Sequence, residues 1–198
     1  MSVLPPLRPR PRPGNLRDLA EKIESATGLR VQIVGGSLVM SPTPRGKHAG
    51  VIRRLRQQLD VAAPERLAAY EVSSVAMPSD PDDYVTPDLV VLPRDWDDDD
   101  DWLADPRDVE LAVEVISQSE KARDISQKND WYAVAGVKAL LVVDPRHGTW
   151  ALHTQPDGTS YRHTLPGKYG EDIPLPEPLA LSLVTGEFPV YGEARRPN

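Results

Sequence analysis

The stretch VELAVEVISQSEKARDISQKNDWYAVAGVKALLVVD, residues 109–144, decides the fold. Its first nine residues alternate as a strand does, with Glu114 on the same side as Ala112 and Ile116. A helix is expected from Ser119 to about Ala135, with Gly136 as its stop signal. The apolar run KALLVVDP then reads as a buried strand. Strand, helix and strand in that order form a βαβ crossover, so strands 109–117 and 138–144 are expected to run parallel. The fold class is therefore α/β.

Upstream, Leu16, Leu19, Ala20 and Ile23 fall at helical spacing, and that helix should stop near Gly28. LRVQIV and SLVM flank Gly35-Gly36, a pair that a tight hairpin turn accepts. A second helix is signalled by the stripe His48, Val51, Ile52, Leu55 and Leu59. A strand is expected near 68–77, then one carrying Asp88. Downstream, TWALHT and TSYRHT around QPDG read as a hairpin carrying His153 and His163, whose spacing matches no zinc motif. Residues 172–190, rich in Pro and Leu, should wrap the sheet edge or join a subunit interface. The alternating Pro and Arg of residues 5–13 mark residues 1–14 as a solvated arm. One domain over 15–192 and a tail at 193–198 complete the expected organisation.

Composition narrows the function classes. Zero cysteines exclude disulfides and thiolate metal sites, and no run approaches the ~20 apolar residues of a membrane span. The expectation is a soluble cytoplasmic protein. A net charge of −7 argues against a protein that coats nucleic acid broadly. The charge is uneven, however. Asp95 and Asp97 to Asp101 crowd one loop, whereas Arg53, Arg54 and Arg56 make one helix basic. The Asp run lacks the D-x-[DN]-x-[DN]-G spacing that converges oxygens on calcium, so it reads as a solvated loop.

Chemistry concentrates in Asp88 of YVTPDLVVL, Glu114 of VELAVEVIS and Lys128 of DISQKNDWY. Alternation places Asp88 with Val90 and Leu92, so both carboxylates point toward apolar neighbours. A buried ionised carboxylate is costly unless a cation meets it. Lys128, or Lys121 one turn from the helix start, could supply that cation, and so could a divalent metal. Together they suggest a metal-dependent site that cleaves phosphodiesters. His48, at the head of an inward stripe, and Glu71, a third carboxylate, are accessory candidates. Each residue alone also has a plain structural explanation: a Glu114–Lys128 salt bridge, or a strand-entry turn at Pro87-Asp88. No G-x-G-x-x-G, Walker loop, H-E-x-x-H or G-x-S-x-G is present in the sequence.

The segments MSPTPRGKH, TPDLVVLP, LAVEVIS and DISQKNDWYAVAGV, followed by LLVVDP, resemble in order and spacing the Uma-two family of restriction endonucleases, in the PD-(D/E)XK nuclease superfamily. The likeness spans roughly residues 15 to 190. It implies a restriction-endonuclease-like core, a central mixed sheet flanked by helices, and it maps the motif acids onto Asp88 and Glu114. The superfamily's usual lysine position, two residues after the second acid, is Ile116 here. The family resembled carries its lysine on the next helix, which is Lys128. The resemblance further implies Mg²⁺ or Mn²⁺ held by Asp88, Glu114 and the Val115 carbonyl, with Lys128 catalytic and Gln127 and Tyr132 in support. DNA is the implied partner, and a twofold homodimer the implied assembly. A catalytically weak or inactive nuclease-fold protein, acting as a nucleic-acid-binding or regulatory module, is the alternative.

Overall fold

The computed structural model describes residues 15–41 and 44–192, so the expectations for the arm (1–14) and the tail (193–198) lie outside the described residues. The chain begins with α1 (Asn15–Thr27), β1 (Arg30–Val34), β2 (Ser37–Ser41) and α2 (Gly46–Ala62). There follow β3 (Leu67–Tyr70), β4 (Ser74–Met77), β5 (Asp80–Val85), β6 (Leu89–Pro93) and β7 (Leu103–Ala104). The second half holds β8 (Leu111–Val115), α3 (Ala122–Ala135), β9 (Ala139–Asp144), β10 (Thr149–Pro156), β11 (Tyr161–Lys168), β12 (Ile173–Pro174) and β13 (Ser182–Leu183).

A six-stranded sheet ordered β11-β10-β9-β8-β6-β3 forms the centre. It is mixed: β8 and β9 run parallel through the α3 crossover, with Glu114 opposite Val142, while the other pairs are antiparallel. The twofold period of a strand sorts its residues. Leu89, Val91, Leu111, Val113, Val115, Leu141 and Val143 pack with the α2 stripe Val51, Ile52, Leu55 and Leu59. Val90, Leu92, Ala112, Leu140 and Val142 pack on the opposite side with Trp131 and Tyr132 of α3. Burying one such leucine is worth about 1.5–3 kcal/mol, so a one-residue slip would forfeit several at once and the register is locked. Gly136 closes α3 at φ 87°, the left-handed conformation that a glycine stop supplies.

A smaller sheet, ordered β2-β1-β5-β4-β7, lies on the α3 side, where Val34, Val75, Met77 and Val85 join the α3 cluster. α1 covers it, with Ala20 packing among Val31, Ile33 and Tyr84. Leu19, expected on the inner stripe, is instead 45% exposed. The hairpin at Gly35-Gly36 forms as expected, both glycines at positive φ (57° and 73°).

Two expectations are corrected and one strand is added. The strand near 68–77 is two strands in different sheets, broken at Glu71–Ser73, where Val72 takes φ 65°. β5 was not anticipated, because DPDDYV combines three aspartates with a proline and reads as a turn. Residues 172–190 cover a sheet face rather than an edge: Ile173, Leu175, Leu179, Leu183 and Phe188 complete the α2-side cluster.

Candidate active site

Glu114 sits mid-β8 between two valines that face α2, so strand alternation turns it toward α3. Its Oε2 accepts a hydrogen bond from Lys128 Nζ at 2.8 Å and its Oε1 accepts one from the Tyr132 hydroxyl at 2.7 Å. Lys128 and Tyr132 are four residues apart on α3 and therefore share a face. Burial pushes the Glu114 carboxyl above its usual range; Lys128 opposes that rise and nearby Asp88 adds to it. For Lys128 burial acts downward, but the carboxylates of Glu114 and Glu120 overcome it and the ammonium titrates above its ordinary value. Lys128 thus keeps its proton. The Tyr132 hydroxyl, fully buried, is held well above its normal range by burial and by Glu114.

Asp88 differs from its expected placement. β6 starts one residue later, so Asp88 lies at the strand approach, half-buried, and its carboxylate reaches the first turn of α2 instead of the α3 face. Its backbone N–H donates to the Val113 carbonyl at 3.0 Å. Its Oδ2 accepts from the Val115 N–H at 2.8 Å, and its Oδ1 lies 3.1 Å from His48 Nε2. Pairing with β8 is what brings Asp88 beside Glu114. His48 is 7% exposed, and its Nδ1 is buried without a hydrogen-bond partner.

Asp88, Glu114, Val115, His48, Gln127 and Lys128 border one cleft of about 840 Å³. Tyr132 stands behind Glu114 rather than at the cleft wall. Gln127 is exposed on α3, close to the Gly35 turn. Glu71 is not brought to Glu114: it is exposed and pairs with Arg56 of α2 at 3.1 Å, beside a smaller cavity that adjoins Asp88. Lys121 is exposed ahead of α3 and outside the cleft, which leaves Lys128 as the cation at Glu114. His153 bonds Thr164 within the C-terminal hairpin, away from the cleft.

The cleft also holds residues that the sequence reading passed over. Arg45 Nη1 donates to Gln118 Oε1 at 2.9 Å, linking the start of α2 to the loop before α3. The Tyr191 hydroxyl donates to the Ile116 carbonyl at 3.1 Å. Glu120 Oε2 accepts from the Ser117 N–H at 3.1 Å, and its Oε1 lies 3.8 Å from Lys128 Nζ. The S-x-x-E spacing of Ser117 and Glu120 was a readable signal, since that pattern folds a carboxylate back onto a backbone amide ahead of a helix. Tyr191 carried none.

No group of three or more His, Cys, Asp and Glu converges as a metal cage among the described residues. Two carboxylates bordering one cleft beside backbone groups suit a hard cation that retains several waters, the habit of Mg²⁺. The mutual repulsion of Asp88 and Glu114 is the electrostatic counterpart of that fit.

A central mixed sheet with a helical crossover between its parallel strands, flanked by helices, defines a protein of the restriction-endonuclease-like fold. The chain belongs to the Uma2 family, described as "Putative restriction endonuclease", whose model matches residues 17–186. The crystal structure of a DUF820 "putative nuclease" from Anabaena variabilis ATCC 29413 is similar, at TM-score 0.64 and 17% identity, over 82% of this chain and 90% of that one. A weaker likeness, at TM-score 0.36 and 12% identity over 76% of this chain and 12% of the other, is to a DrdV–DNA complex solved by cryo-electron microscopy. No functionally curated protein matches the sequence.

Proposed function

We propose that this chain is a metal-dependent endonuclease that hydrolyses phosphodiester bonds of DNA in the cytoplasm. The observation that carries this reading is the meeting of Asp88, Glu114 and Lys128 at one cleft, contributed by a strand approach, a strand and a helix. Asp88, Glu114 and the Val115 carbonyl would hold Mg²⁺ or Mn²⁺. When bound, the ion supplies a more acidic water and offsets charge on the phosphate. Lys128 keeps its proton and stands where negative charge accumulates as water attacks phosphorus and a P–O ester bond breaks. Tyr132 fixes Glu114 by its hydroxyl, His48 fixes Asp88, and Gln127 lies at the rim for substrate. Cleavage of both strands by this reading calls for a homodimer, and light scattering that gives a monomer at high concentration would remove that part of it. No described helix is long and apolar enough to cross a membrane.

One observation favours a second reading, a catalytically weak or inactive binding or regulatory module: both Glu114 oxygens already accept hydrogen bonds, from Lys128 and from Tyr132. The test is cleavage of supercoiled plasmid and a single-stranded oligonucleotide in Mg²⁺, Mn²⁺ or EDTA, with native protein, Glu114→Ala and Lys128→Ala. Metal-dependent cutting by the native protein, lost in both variants, supports the nuclease. Metal-insensitive DNA binding with no cutting supports the module.

A further inference from the structure

The ion pair that satisfies Glu114 also obstructs it. A divalent cation shared by Asp88 and Glu114 would approach an ammonium that already sits 2.8 Å from Glu114 Oε2. Like charges at such range in a part-buried cleft repel strongly, so Lys128 must yield the carboxylate when the cation arrives. It needs another anion within reach, because an uncompensated ammonium is costly there: the side chain is 14% exposed.

We infer that Glu120 is that second station, a positioning residue that receives Lys128 when metal occupies Glu114. The geometry is specific. Glu120 Oε1 lies 3.8 Å from Nζ, near enough that a small shift of the lysine end exchanges one carboxylate for the other. The Glu120 carboxylate is held by the Ser117 amide at 3.1 Å, and its own carbonyl accepts from Arg146 Nη1 at 2.7 Å. Its side chain is 17% exposed, so it is a fixed acceptor rather than a waving surface acid. Lys128 is thereby a plug while it holds Glu114 and a retained cation once Glu120 receives it, and its travel is limited to the distance between two carboxylates.

This inference rests on the proposed metal site and is tested apart from catalysis, by Mn²⁺ titration calorimetry on the full chain with no nucleic acid present. Four proteins are compared: native, Glu120→Gln, Lys128→Met and the double variant. Glu120→Gln keeps an oxygen for the Ser117 amide, and thermal melts verify folding. With Glu120 neutralised, Lys128 clings to Glu114, and Mn²⁺ should bind roughly threefold to tenfold more weakly, the scale of one ion contact. Lys128→Met removes the plug and should bind Mn²⁺ more tightly than native. The decisive result is the double variant, which should match Lys128→Met, because the station matters only while there is a lysine to receive. An equal loss from Glu120→Gln in both backgrounds would make Glu120 a direct contributor to the metal and overturn the inference. No loss in either background would also overturn it, leaving the metal site standing. No Mn²⁺ binding by any protein, Lys128→Met included, would overturn the metal site itself.

Discussion

Asp83 and Glu114 are both carboxylates buried against α3, 4% and 6% exposed, and burial pushes both above the usual carboxylate range. Their partners differ. Among the described residues Asp83 accepts from neutral donors, including the Gly35 amide at 2.8 Å and the Trp131 indole N–H at 3.0 Å, and it lies off the cleft. Glu114 has an ammonium, a second carboxylate nearby and access to solvent-filled space. Burial therefore raises a carboxyl's pKa in both settings, and it is the neighbouring cation and the opening onto the cleft that separate the candidate site from a clamp. Asp83 is the clamp: it ties the turn of the first hairpin, in the small sheet, to the helix that carries Lys128.

The largest expected contrast is in cleavage. Glu114→Gln should lower metal-dependent plasmid cutting by about 10³-fold, equivalent to about 4 kcal/mol, while Asp83→Asn assayed well below its melting temperature should stay within about tenfold of native. Equal losses would erase the distinction and place Asp83 in the site. Stability should separate them in the other direction. Asp83→Asn sets an amide N–H₂ against one of these N–H donors, and urea unfolding should show a loss of about 1–3 kcal/mol. Because Asp83 titrates higher in the folded chain than in the unfolded one, the folded state binds its proton more tightly. Its contribution to stability is therefore greatest in acid and declines as pH rises from the ordinary carboxylate value near 4 to the raised one. Melts across that window should show a shallower decline in Asp83→Asn than in native protein. Tyr132→Phe removes one donor from Glu114 and should lower cleavage about tenfold, which would show that the buried wall behind the site matters to it. Gln127→Ala, at an exposed rim position, should change cleavage by no more than about threefold, and a larger effect would extend the reactive region out along α3.

Much of this contrast could be read from sequence on one side only. Glu114 stood in a clean strand pattern, so alternation turned it inward; the helical period left Lys121 and Lys128 both open as its cation, and only the family resemblance favoured Lys128. Asp83 lay in DPDDYV, where proline and aspartate signal a turn; tertiary pairing with β1 and β4 overrides that preference, so both β5 and its buried acid went unseen. Asp88 was identified but misplaced, since alternation cannot tell the first residue of a strand from the last one before it. Glu120 was legible as S-x-x-E, whereas Tyr191 reaches the cleft from a segment with no period at all, by a contact 75 residues distant in sequence.

The strict division of β8, valines to α2 and Glu114 to α3, also bears on how the gene tolerates lost codons. Deleting one codon within residues 111–113 would slide a valine into the acid's place and the acid among the leucines, ruining chemistry and folding at one stroke. Deleting one from the exposed aspartates 97–101 shifts no paired register. A deletion scan of the whole chain should therefore read as a map of its strands, with β8 as its deepest trough and the acidic loop as a plateau.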